Sequence, residues 1–273
     1  HFLLEAGRKG THIVATDLQI AIREPLAATV QSDGRLCIPA RKLFEIVREA
    51  EGDITLESED EQWVKVSFGK SRFRLACLSP AEFPAWPGVE QAEEIRFGIE
   101  ALTEMIEKTI YAAGETDTRY TLNGLLFHLR PGDEFMTIVG TDGHRLAMLT
   151  KPLEVKVSEE KKVIVPRKAA AELRRFFGSA ESVSAIIDKN HVLFTIGDVQ
   201  FLVRLIEGTY PNYEQVLPPS NQKRITVGRE DFLKTLKRVS IMSRERSNAV
   251  KIDITDSSLA VSSSNPDIGE ARD

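Results

Sequence analysis

The chain has 273 residues, 42% of them hydrophobic and 28% charged, with a net charge of −5. This ordinary globular composition leaves room for two or more cored domains and excludes a disordered or fibrous chain, and no apolar run approaches the ~20 residues that span a bilayer. The acidic balance also excludes a protein that grips nucleic acid over its whole surface, because phosphate binding by counterion release needs clustered Lys and Arg.

The opening HFLLEAG has neither a basic n-region nor a cleavage site, so a cytoplasmic protein is expected. Cys37 and Cys77 lie far apart without CxxC or Cys/His clustering, and are expected as small buried hydrophobes. His1, His12, His128, His144 and His191 show no ligand spacing, so no metal or other cofactor is expected.

Taken in order, the chain repeats itself. IVATDLQIAI, from Ile13, returns as IVGTDGHRLAM, from Ile138, with Thr16 and Thr141 separated by 125 positions. IPARKLFEIV, from Ile38, returns as VPRKAAAELR, from Val165, and SRFRLACLSPAEFP, ending at Pro84, returns as VQFLVRLIEGTYP, ending at Pro211; both spacings are 127. A third copy begins near Arg224: ITVGREDFLKTLKRVSIMS parallels IRFGIEALTEMIEKTIYAA, from Ile95, with Gly98 and Gly228 separated by 130. Three domains follow, at 1–92, 93–220 and 221–273. By this alignment the first is expected to lack its opening strand and helix, about thirty residues, and the third roughly its second half.

Each repeat reads as α+β. A strand leads into an amphipathic helix, 99–113 or 229–242. Several short alternating strands follow, then a Pro-initiated helix, 39–50 or 166–177, and more strands, about eight in all. Pro39 and Pro166 suit a first helical turn, where the missing N–H costs nothing. Leu43, Ile46, Val47 and Ala50 form one apolar stripe; Ala170, Leu173, Phe176 and Phe177 form another; Phe232, Leu236 and Val239 a third. Counting Lys plus Arg against Asp plus Glu, segments 39–50, 166–177 and 229–246 run 3 to 2, 4 to 1 and 6 to 3, and 99–113 runs 1 to 3. The four together carry +5, so the remainder carries −10. Helices are positive, strands and loops negative.

The stretch MTIVGTDGHRLAML, Met136 to Leu149, reads as strand, tight turn and strand. Its Asp142 and His144 could suggest a hydrolase, but no nucleophile elbow, oxyanion-type glycine cluster or second carboxylate accompanies them. Gly69-Lys70-Ser71 is not a phosphate loop, because Val64 stands where the first glycine must be.

TDGHRLAM at 141–148, VIVPRKAAAELRR at 163–175, RYTLNGLLF at 119–127 and YPNYEQVLP at 210–218 together resemble the bacterial replicative sliding clamp family, the beta subunit of the DNA polymerase holoenzyme. The resemblance covers nearly the whole chain. It implies the DNA-clamp fold, with two helices of each repeated domain lining the inside and antiparallel sheets outside. It implies a non-catalytic processivity factor, a head-to-tail homodimer ring around duplex DNA. Replicative polymerase, clamp loader and repair proteins would dock through a short Leu/Phe-containing peptide. A mildly positive lining and an acidic exterior suit that role, since holding by topology permits sliding.

Carried over by motif, the peptide cleft would be walled by Arg119, Leu122, Thr141, Gly143, His144, Arg145, Leu146, Pro211 and Val216. Leu122, Leu146, Pro211 and Val216 would supply an apolar trough. Gln215 stands where well-known members carry Arg, which changes the polar contacts at that rim. Tyr120 matches a tyrosine that touches template strand, while Arg41, Lys42, Arg167, Lys168, Lys234 and Lys237 are DNA candidates by helix position. The ring interface would pair Phe73 and Leu75 with Ile241 and Met242 of the next protomer, apolar residues that as ordinary core would need no partner. The rival to the ring is a repeat protein that binds peptides without DNA.

Overall fold

The computed structural model describes residues 1–273 except Lys9, Glu61, 90–92, Asp133, 153–156, Ser179, Pro219 and 244–248. Two compact units, His1–Tyr213 and Glu214–Asp273, make up the chain.

The first unit opens with strands β1 (Phe2–Gly7), β2 (Gly10–Thr16), β3 (Ile20–Leu26) and β4 (Gly34–Ile38), helix α1 (Ala40–Arg48), and strands β5 (Thr55–Ser58), β6 (Trp63–Phe68) and β7 (Ser71–Ala76). It continues with β8 (Glu94–Gly98), α2 (Ile99–Thr109), β9 (Gly124–Leu129), β10 (Phe135–Thr141), β11 (Leu146–Pro152), β12 (Lys161–Pro166), α3 (Arg167–Leu173), β13 (Ser182–Ile187), β14 (His191–Ile196) and β15 (Val199–Arg204). Among the described residues the middle repeat thus has eight strands and two longer helices, against the two helices and about eight strands its sequence pattern predicts. Helix α2 shows why: Leu102, Met105, Ile106 and Thr109 are buried at i, i+3, i+4 and i+7, with Glu100 in the first turn and Lys108 in the last to complement the helix dipole.

The strands pair antiparallel throughout. Eight form one sheet in the order β4-β1-β2-β3-β15-β14-β13-β8, and β11-β10-β9-β12 and β5-β6-β7 form two smaller ones. The eight-stranded sheet crosses the repeat boundary, because β3 pairs with β15, Ala21 opposite Leu202 and Ile20 opposite Val203. Repeats one and two therefore belong to one unit. Phe127, Phe194 and Phe201 centre one core of this unit, while Phe2, Ile38, Leu43, Val64 and Val66 fill another.

In the second unit, α4 (Tyr213–Val216, beginning on the last residue of the first unit) precedes α5 (Arg229–Ser240) and the antiparallel sheet β16 (Lys251–Ile254), β17 (Leu259–Asn265) and β18 (Gly269–Arg272). Val239 and Val261 are buried, and Ser263 Oγ donates to Val239 O at 2.6 Å, tying α5 to the sheet.

Several sequence expectations are corrected. Residues 225–228 form no strand, and Ile225 and Val227 are exposed. Their counterpart β8 pairs with β13, whereas 225–228 have no pairing partner among the described residues, and an unpaired segment has nowhere to place its backbone hydrogen bonds. Pro39 and Pro166 are N-caps with extended ψ, one position before the expected first turn. The helices end earlier than predicted: α3 tightens to a 3-10 turn at Arg174–Phe176 and α2 at Ile110–Ala112, and α5 stops at Ser240. Residues 244–246 of the predicted third basic helix lie outside the described residues. On α1 only Leu43 is fully buried; Val47 of the expected stripe is 41% exposed and Phe44 61%. Cys37 and Cys77 are buried free thiols, as expected.

Candidate peptide cleft and nucleic-acid interface

The turn between β10 and β11 is held by its own side chains. Thr141 Oγ1 donates to Arg145 O at 2.6 Å and accepts from the amide of Gly143 at 3.1 Å. Asp142 Oδ1 accepts from the amides of His144 and Arg145, and its Oδ2 accepts from Arg145 Nε at 2.9 Å. Gly143 sits at φ 80°, where a side chain would be strained. Partial burial pushes the Asp142 carboxyl up, but these hydrogen bonds prevail and hold it below the ordinary aspartate value. Asp142 is thus an ionised structural cap that binds the backbone of His144, which is a poor description of a general base.

Arg119 covers this turn. Its guanidinium donates twice to Asp117, Nε to Oδ1 at 3.0 Å and Nη2 to Oδ2 at 2.8 Å, and Nη2 also reaches Asp142 O at 3.0 Å. The side chain lies so close over Gly143 that a Cβ there would come within 2.7 Å of Nη1. These bonds, with the Arg119 amide, hold the Asp117 carboxyl at about 2. The Arg145 guanidinium lies 6.0 Å from the centre of the Tyr111 ring.

Beneath the turn, Leu122, Leu126, Val139, Ile164, Tyr210 and Tyr213 form a buried cluster with Leu146 packed against it. Tyr210 donates to Val139 O at 3.2 Å, and burial pushes its hydroxyl up to about 12. Buried His128 lies between Tyr213 OH, 2.8 Å from Nδ1, and Glu160 Oε1, 3.0 Å from Nε2, while Arg130 donates to the same tyrosine at 3.3 Å. The pattern fits the Nε2–H tautomer, with the tyrosine giving its proton to Nδ1.

Seven of the nine predicted cleft residues therefore gather in the first unit around one turn and one cluster: Arg119, Leu122, Thr141, Gly143, His144, Arg145 and Leu146. Leu122 is 1% exposed, so it supports the surface from below and offers a ligand nothing. Pro211 is exposed after buried Tyr210; Val216, in the second unit, is 67% exposed. Asp117, Tyr210, Tyr213, His128 and Arg130 were not predicted. The two tyrosines were legible in YPNYEQVLP as aromatic residues at a strand exit; the pairing of Asp117 with Arg119 has no sequence signature.

Tyr120, Arg167 and Lys168 come together on one open cavity of about 780 Å³, which Gln19, Glu115 and Arg204 also line. Tyr120 is 61% exposed. Arg167 is paired with Glu115, and Lys168 Nζ lies 2.5 Å from Asp17. On α1, Arg41 and Lys42 share Glu45 at 3.3 and 2.7 Å. Lys234 and Lys237 on α5 are exposed, without an ion pair among the described residues. Phe73 is 38% exposed on β7, the edge of its sheet, while Leu75 packs on the core beside it. Ile241, just past α5, is 74% exposed, and Met242 is half-buried. Among the described residues no three His, Cys, Asp or Glu side chains converge as a metal set, and no helix is long and apolar enough to cross a membrane.

Family models of the N-terminal, central and C-terminal domains of the DNA polymerase III beta subunit match residues 1–87, 98–212 and 214–273. A beta sliding clamp from Caulobacter vibrioides is 33% identical over 277 residues, covering 99% of this chain and 74% of the relative. One from Pseudomonas aeruginosa is 30% identical over 267 residues, covering 96% and 71%. The crystal structure of the DNA polymerase III beta subunit from Pseudomonas aeruginosa superposes with a TM-score of 0.94 at 28% identity, covering all of this chain and 75% of that one.

Proposed function

Because the chain belongs to the DNA polymerase III beta subunit family, the bacterial sliding clamps, it is a non-catalytic processivity factor of replication, and we propose which of its surfaces do the work. Within the first unit the cleft is walled by Arg119, Thr141, Gly143, His144, Arg145, Leu146 and Pro211, with Leu122 as a buried support. It takes a short Leu/Phe-containing peptide from the polymerase, the clamp loader or repair proteins. The observation that carries this reading is the braced turn: Arg119 fixed over Gly143 by Asp117, above an apolar cluster that leaves Leu146 half-buried. A rigid lip beside a partly open apolar floor loses little entropy when an extended peptide docks.

For DNA, exposed Tyr120 in the first unit and, on its own helix, exposed Lys234 and Lys237 in the second contact the duplex directly, while Arg41, Lys42, Arg167 and Lys168 exchange their carboxylate partners for phosphates. Such exchange is cheap because exposed ion pairs contribute little. The dimer joins Phe73 and Leu75 to Ile241 and Met242 of the next protomer, and the protein works in the cytoplasm.

Retention on plasmid tests the ring. A closed ring stays on nicked circles and runs off linearised DNA; equal loss from both would leave a peptide-binding repeat protein instead. Leu146→Asp tests the cleft: a fluorescent polymerase-tail peptide should lose binding by polarisation, and unchanged affinity would place docking elsewhere. Leu122→Asp is the poorer variant, because a carboxylate at a fully buried site breaks the cluster itself.

A further inference from the structure

The turn at 16–20 is built like the turn at 141–145. Thr16 Oγ1 donates to Ile20 O at 2.9 Å and accepts from the amide of Leu18 at 2.9 Å, as Thr141 does with Arg145 and Gly143. Asp17 Oδ1 accepts from the amides of Gln19 and Ile20, as Asp142 does from those of His144 and Arg145. The residue between is left-handed in both, Leu18 at φ 73° and Gly143 at φ 80°. A leucine is strained there, because its Cβ crowds the following carbonyl oxygen in the left-handed region. Leu18 offsets little of this strain by packing, being 69% exposed.

Leu18 forms one lip of a groove with about 70 Å³ of free volume. Ile20, Ala21 and Leu202 line it where β3 meets β15, and the segment Phe83–Pro87, including Trp86, forms a second wall. By the 127-residue spacing, Phe83 and Trp86 are the counterparts of Tyr210 and Tyr213, which lie below the 141–145 turn. Arg204 stands at the rim, 64% exposed, and its ion pair with Glu207 is stretched to 4.0 Å. The free volume is several times the ~10–15 Å³ that one water needs, which suits one aliphatic side chain and not a helix face.

We propose that this groove is a second docking site for a short extended peptide, in which a leucine-sized side chain fills the apolar slot and an adjacent carboxylate pairs with Arg204. The ligand class rests on the cleft reading above; the apolar slot and its basic rim do not. A carboxylate matches Arg204, a permanent cation on the rim whose own ion pair is stretched, and a strained, exposed leucine beside the slot gains the burial it lacks when the slot is filled.

The test uses the whole chain carrying Trp63→Phe, which leaves Trp86 as its one tryptophan. The probe is acetyl-Gly-Leu-Leu-Asp-Gly-amide. Trp86 emission should respond saturably. Arg204→Glu should weaken the midpoint about tenfold. Leu18→Gly, which suits the left-handed turn and so keeps the fold, should also weaken it, and Leu146→Asp should leave it unchanged. No Trp86 response at millimolar peptide, a response indifferent to both Arg204→Glu and Leu18→Gly, or one abolished by Leu146→Asp overturns the second site. If instead Trp86 titrates as expected while Leu146→Asp leaves polymerase-tail affinity unchanged, the cleft reading falls and the groove stands.

Discussion

Lys168 Nζ lies 2.5 Å from Asp17 Oδ2, joining α3 to the turn after β2 across 151 residues of sequence. Partial burial pushes the Asp17 carboxyl up, but Lys168 and the amides of Ile20 and Gln19 hold it below the ordinary aspartate value, and Asp17 in turn raises Lys168. A cation predicted from its helix position to meet DNA is therefore engaged within the protein. Asp17→Asn keeps the acceptor that the turn needs and releases the lysine. Stability should change little, because both side chains are well exposed. DNA binding should strengthen, because Lys168 no longer has to leave a carboxylate to meet a phosphate, and filter binding at fixed salt reads the change. Unchanged affinity would show that Lys168 does not reach the duplex.

Gly143→Ala should destabilise the protein by roughly 1–2 kcal/mol, the cost of a side chain in the left-handed region. The new Cβ would meet Arg119 Nη1 at 2.7 Å, so the guanidinium would swing off the turn and lose its bond to Asp142 O. Thermal denaturation should show the loss of stability and polarisation a weaker polymerase-tail affinity. A variant with native affinity would mean that the position of Arg119 is irrelevant to docking.

Acid should open the same lip. The Asp117 carboxyl, held at about 2 by Arg119, lies below its unfolded value of about 3.9. A depressed carboxyl contributes stability that is fully present above the unfolded value and is lost as pH falls through the folded one. The Arg119–Asp117 contact should therefore be intact above about pH 4 and weaken toward pH 2. Carboxyl-carbon NMR reads this directly, and a midpoint near 4 would mean that the bidentate pair does not form in solution.

Tyr213→Phe should cost about 1–3 kcal/mol in urea denaturation, because it leaves Nδ1 of buried His128 without its partner. Tyr120→Phe, at an exposed ring, should leave stability unchanged and serves as the control.

Much was legible in the chain before folding. The 127-residue spacings marked the repeats, and apolar periodicity placed the two helices of the middle one and gave about eight strands without their bounds. The failures have a common cause. Residues 225–228 carry the alternation of β8, but among the described residues no strand pairs with them, so the same local pattern formed no strand. Val47 and Phe44 sit on an amphipathic helix, but an apolar face is buried only where another element covers it.

Family, fold class and the residues of the 141–145 turn were legible in the sequence, the first two from motifs and a repeat spacing of 127 residues, the turn because Thr141 and Asp142 cap it within four residues. Only the tertiary structure decided how those residues are used. It sank Leu122 beneath the surface, set Arg119 over Gly143, engaged Lys168 with Asp17, and joined β3 to β15 so that the first repeat's turn borders a groove of its own. Those outcomes depend on contacts between residues dozens to more than a hundred positions apart, which no local pattern encodes.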